Sequence, residues 1–161
     1  MNAKELLYPV DWEILRLLQR DATHALAAIG EAVGLSPSQV ARRKQQLERR
    51  GFIKATPAIL DGARLGFGVV AFASLWLERH SATRPEAFER AVALLPPIVE
   101  CHAITGSADY WLKIVVPDLE TLGRFVRESV LRLPGVARIE THIRLQGVKE
   151  TTELPLALVH R

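Results

Sequence analysis

Apolar positions recur along the first fifty residues at helical spacing. Ile14, Leu15, Leu17 and Leu18 form one stripe, with Asp11 ahead of it as a candidate cap. Leu26, Ile29 and Val33 form a second, and Gly34 is placed to stop it in a left-handed turn. Ser36, Pro37 and Gln39 then make a strong start signal: an N-cap serine, proline at the first helical position and a capping-box glutamine. A third helix is expected from there to about Arg50, stopping at Gly51. Two helices joined by a short Gly-containing turn have helix-turn-helix spacing, and a plain helical hairpin has it too. Leu15, Leu18, Leu26, Ile29, Val33, Leu35, Val40 and Leu47 are the expected core of this unit.

The rhythm changes after "FIKATPAIL" and "DGARLG", which read as a linker. "FGVVAFASLWLER" is a β-rich run. A helix with Phe88, Val92 and Leu95 on one face follows, opened by a Thr83/Glu86 capping box and ended by Pro96 and Pro97. "IVECHAIT" and "DYWLKIVV" read as a hairpin around "GSA". Asp118 caps a helix with Leu119, Leu122, Val126 and Val130 as its stripe, and "VARIETHIRL" is the last strand. The order β-α-β-β-α-β is the ferredoxin-like split motif, so the fold class is α+β. The expected domains are a helix-turn-helix at 1–52, a linker at 53–66 and a ferredoxin-like domain at 67–161. Helices can cover one sheet face only. The other, with Phe72, Trp76, Trp111 and Val115, is expected to be apolar, and points to a homodimer or to cover by the linker or first helix.

Charge sharpens this picture. Residues 1–60 hold nine Lys and Arg against six acids, whereas the remainder is balanced at twelve each. Residues 36–54 alone carry six cations and one acid. A basic patch confined to one segment is the footprint of a polyanion binder, although a solvated face has the same composition. A helix entering the major groove reads bases near its N-terminus. Ser36, Ser38 and Gln39 lie at that end, Arg42, Arg43 and Lys44 one turn further in, and Arg49, Arg50 and Lys54 at the trailing end as phosphate contacts. Lys44 is the awkward member, because Val40, Lys44 and Leu47 share a stripe that should be apolar.

The remaining residues exclude more than they suggest. One cysteine, Cys101, permits no internal disulfide, and the N-terminus shows no signal-length apolar run, so a cytoplasmic protein is expected. His24, His80, His102, His142 and His160 are scattered. No zinc spacing, phosphate loop or nucleophile elbow is present. In "TGSADY", Gly106 leaves backbone N–H groups open to a carboxylate and Asp109 suits an ammonium; an ordinary turn reads the same way.

"LSPSQVARRKQQLERRGFIKATPAILDGARLG", "LLPPIVECHAITGSADYWLKIVVPDLETLGRF" and "LPGVARIETHIRLQGVKETTELPL" together resemble the Lrp/AsnC (feast/famine) transcriptional regulators over about residues 8–157. The resemblance implies double-stranded DNA as a partner, and a C-terminal domain that dimerises and often assembles to octamers. It also implies an amino-acid effector at the contact between dimers, with no cofactor. On that basis Gly106, Ser107, Asp109, Tyr110, Thr151 and Thr152 are the expected effector residues. The chain departs from the family at Lys44, where Ile or Val is usual, at Gln45 and Gln46, where cations are common, and at Ser107, where an acid is common. Sirohaem decarboxylases share both modules, and a DNA-architectural protein would too, so these stand as alternatives to a sequence-specific regulator.

Overall fold

A computed structural model describes residues 7–78 and 85–159. The Thr83/Glu86 capping box, His80 and His160 involve residues outside that range.

The chain divides into two units. One comprises the chain up to Ile59 together with the segment from Lys149 onward; the other is Leu60–Val148. The tail from Lys149 thus packs with the helical unit, whereas the sequence reading groups it with the sheet.

Three helices build the first unit: α1 Pro9–Arg20, α2 Leu26–Val33 and α3 Pro37–Arg49. Proline at the first position starts α1, so Asp11 sits inside it as the third residue. There its Oδ2 accepts the Tyr8 N–H at 3.0 Å. Asp11 therefore works one turn later than a cap does. Gly34 ends α2 with φ +71°, as its position predicts. Ile14, Leu18, Ile29, Val40 and Leu47 are the buried core, and Leu15, Leu26, Val33 and Leu35 pack around it half-buried. Ile14, rather than Leu15, points straight inward.

The tail is held by side chains of α1. The Gln19 amide accepts the Leu154 N–H at 3.0 Å and donates to the Leu154 carbonyl at 3.1 Å, imitating a strand neighbour. Arg20 Nε pairs with Glu153 Oε1 at 2.9 Å. Gln19→Ala is expected to loosen this attachment by roughly fivefold, the equivalent of about 1 kcal/mol of net hydrogen bonding. Amide exchange at Leu154 measures it, and unchanged exchange would mean that apolar packing alone holds the tail.

The second unit is an antiparallel sheet of β1 Val69–Leu77, β2 Ile98–Ala103, β3 Tyr110–Val116 and β4 Val136–Ile143, in the order β2-β3-β1-β4. Helices α4 Pro85–Val92 and α5 Leu119–Glu128 pack on one face. Inward-pointing Ala71, Ala73, Leu75, Leu112, Ile114 and Val116 meet Phe88, Val92, Leu122 and Val130 there. Asp118 Oδ1 caps α5 by accepting the Thr121 N–H at 2.7 Å. Leu119 is exposed, and Phe125 packs against the core instead.

The opposite face is more polar than its central strands suggest. Phe72 stacks on Trp111 with centroids 5.0 Å apart, and Arg138 lies 4.5 Å over the Trp76 ring. Flanking them are Lys113–Glu100 at 2.9 Å and Arg138–Glu140 at 2.8 Å, with His102 and His142 beside the two glutamates. Hydrogen bonding from Lys113 holds the Glu100 carboxyl below the usual range.

Candidate nucleic-acid interface and effector loop

The first functional region is the solvent face of α3. Its start is fixed locally: Ser36 Oγ accepts the Gln39 N–H at 3.3 Å and Gln39 Oε1 accepts the Ser36 N–H at 2.9 Å. Ser36 Oγ also lies 3.0 Å from Ser38 Oγ. The Gln39 carbonyl is thus engaged by the cap. From this start, 3.6-residue periodicity turns Val40 and Leu47 into the core and leaves Ser38, Arg42, Gln45, Gln46 and Arg49 exposed. Gln45 and Gln46 share that outward surface with Arg42. Their spacing from Arg42 marks them for this surface, although their neutrality leaves no signal in the charge pattern.

The cations divide by environment. Arg42 and Arg49 are exposed and make no ion pair among the described residues. Arg43 is drawn inward: its Nη1 is 2.8 Å from Oδ1 of the buried Asp11, and its guanidinium lies 5.4 Å from the Tyr8 ring centroid. The ion pair ties α3 to the start of α1, so Arg43, unlike Arg42, is engaged within the protein. Lys44 is half-buried and reaches Glu48 Oε1 at 3.5 Å, one turn on. Its ammonium thus meets an exposed acid, which makes a cation tolerable at this position of the stripe. Arg50 covers the Phe52 ring at 5.0 Å, and Lys54 is exposed in the segment after α3.

The second region is the loop between β2 and β3. Ile104 N–H donates to the Asp109 carbonyl at 3.0 Å and closes the hairpin. Gly106 has φ +126°, a conformation that favours glycine, and a Cβ there would meet nothing within 4 Å. The loop is braced on the end of β1. Asp109 Oδ2 accepts the Leu77 N–H at 2.8 Å, Asp109 N–H donates to the Leu75 carbonyl at 3.0 Å, and the Trp76 indole N–H donates to the Ser107 carbonyl.

The expected effector residues differ in their surroundings. Asp109 is exposed, and its Oδ2 accepts the Leu77 N–H. Tyr110 is buried among the core residues, 4.5 Å from the Phe88 ring, and donates to Glu89 Oε1 at 2.9 Å. Burial first, then the bond to Glu89, pushes its hydroxyl up to about 12, so it keeps its proton. Thr151 and Thr152 fall in the other unit, in the tail, where Thr151 Oγ1 accepts the Glu153 N–H at 3.0 Å. Gly106 and Ser107 remain exposed. Burial raises the Cys101 thiol above its ordinary value, so it is no ready nucleophile. Among the described residues no cluster of His, Cys, Asp and Glu could hold a metal ion. No helix there is long and apolar enough to cross a membrane.

Comparison with known proteins matches two domains along the chain. Residues 9–48 match the AsnC-type helix-turn-helix domain and residues 70–154 the Lrp/AsnC ligand binding domain. The chain is 36% identical over 145 residues to the leucine-responsive regulatory proteins of Escherichia coli K12 and Salmonella typhimurium, covering 90% of this chain and 88% of theirs. A transcriptional regulator of Neisseria meningitidis, solved as a complex with L-Met, superposes with TM-score 0.88 at 32% identity, over 93% of this chain and 97% of that one. An AsnC family transcriptional regulator from Agrobacterium tumefaciens superposes with TM-score 0.87 at 32% identity, over 94% and 99%.

Proposed function

The chain belongs to the Lrp/AsnC family, and from that premise we propose that it regulates transcription by reading DNA with the outward face of α3 under the control of a small amino-acid-like effector. The observation that carries the DNA reading is the helix-turn-helix with its exposed polar face: Ser38, Arg42, Gln45, Gln46 and Arg49 stand outward, one capped helix end leading. In this reading Arg42 bonds a guanine edge and Gln45 an adenine edge, while Arg49, Arg50 and Lys54 neutralise phosphate.

These roles separate by measurement. Arg42→Ala is expected to weaken operator binding by about 1–3 kcal/mol and to relax base preference at one position. Arg49→Ala should weaken all DNA alike and lower the log–log salt slope by about 0.9. A parent protein whose binding does not respond to salt would overturn the reading.

The effector is proposed to meet the Gly106–Ser107 loop, its carboxylate facing backbone N–H groups. A structural relative carrying L-Met supports an amino acid as its class. Calorimetry against L-methionine and L-leucine tests this, and no heat from either would favour a regulator without such an effector. Dimerisation is proposed through the sheet face bearing Phe72 and Trp111, with higher assembly to octamers, in the cytoplasm. Sedimentation equilibrium tests the assembly. A tetrapyrrole enzyme is the competing reading, and an absorbance titration with a tetrapyrrole separates it.

A further inference from the structure

The first unit contains a cavity of about 370 Å³ that the DNA-reading face does not use. Leu15 and Leu18 of α1, Phe52 and Ile53 after α3, and Leu154 and Leu156 of the tail form its apolar walls. The volume lies in the range of small-molecule pockets. Its polar lining has one sign. Arg20 and Lys54 are present, no aspartate or glutamate is, and Gln19, Thr56 and Thr152 are neutral. Glu153 balances Arg20. Lys54 has no ion pair among the described residues. An apolar groove, open to solvent along Leu154 and with the exposed Lys54 at its wall, favours a ligand with a hydrocarbon body and one negative charge.

We propose that this cavity binds a small apolar monocarboxylate, with its hydrocarbon among Leu18, Phe52, Ile53 and Leu154 and its carboxylate on Lys54. The ligand needs no ammonium group, because nothing anionic lines the cavity to receive one. That separates this site from the Gly106 loop, and its occupancy does not depend on the effector reading of that loop.

The probe is 4-methylpentanoate, titrated into the full chain without DNA, with 4-methylpentan-1-ol as its uncharged counterpart. Saturable binding of the acid is expected with Kd on the order of 1 mM or tighter. The methyl resonances of Ile53, Leu154 and Leu156 should shift, while those of Ile114 and Leu112 in the other unit stay in place. Lys54→Gln should weaken the acid roughly fivefold, the upper range for an exposed ion pair, and leave the alcohol unchanged. No saturable binding of the acid, shifts confined to the second unit, or equal loss of acid and alcohol in Lys54→Gln would each overturn the proposal. So would contacts from a second copy of the chain to Ile53 or Leu154 that exclude the probe.

Discussion

Gly30→Ala is expected to disable DNA binding without touching any residue that faces DNA. Gly30 is buried in α2, and a Cβ there would lie 2.4 Å from the Leu35 carbonyl oxygen and 3.7 Å from the Pro37 nitrogen. Both belong to the backbone that turns α2 into α3, so no flexible side chain can move aside. The Gly30 carbonyl also accepts the N–H groups of Gly34 and Leu35, the latter at 2.9 Å. The added methyl must push the turn and the start of α3 outward. Overpacking of this kind costs about 1–3 kcal/mol, a large share of the stability of so small a unit. Gly34→Ala is the control. Its residue has φ +71° but open space around it, so only the left-handed backbone is penalised, by about 1 kcal/mol. Chemical denaturation read from the buried Trp12 in α1 should rank Gly30→Ala well below Gly34→Ala, with operator retardation lost only in the former. Equal midpoints would mean that the turn has room the distances deny.

The contrast between these two glycines shows what the sequence discloses. Gly34 was legible because its role is local: a helix stripe ends there and a capping serine follows two residues later. Gly30 was not, because its role is a close approach between backbones, and nothing in a string of letters marks the absent Cβ as needed. The same division runs through the molecule. The Ser36–Gln39 box and the order of elements along the chain rest on short-range patterns, and both stand as read. The grip of Gln19 on Leu154 spans 135 residues and carries no periodic signal. The open sheet face was read from its central strands, where Phe72 and Trp111 lie. Glu100, His102, Glu140 and His142 on β2 and β4 make it amphipathic, and their part depends on strand register. Asp109 carries a visible charge, but the bond from its Oδ2 to the Leu77 N–H depends on the pairing of β1 with β3 and has no local signal.

Arg43 poses the sharpest separation between stability and DNA contact. It stands beside Arg42 in sequence, yet its side chain is a quarter exposed and its partner Asp11 is 4% exposed as a residue. Removing Arg43 leaves a buried carboxylate with the Tyr8 N–H as its one remaining partner among the described residues. Breaking a buried pair from one side costs about 3–5 kcal/mol. With that backbone bond retained and the guanidinium partly solvated to begin with, about 2–3 kcal/mol is expected for Arg43→Ala. Asp11→Ala should cost less, because the Arg43 left behind can turn toward water. The double variant should cost less than the sum of the two, the signature of a direct pair. Arg43→Lys keeps the charge but not the planar fork, and should recover only part of the loss. If Arg43 clamped phosphate, Arg43→Lys would hold its DNA affinity, and Arg43→Ala would lower the salt slope by about 0.9. The expected outcome is the reverse: a lowered denaturation midpoint in both variants, and a salt slope unchanged from the parent at temperatures where each stays folded.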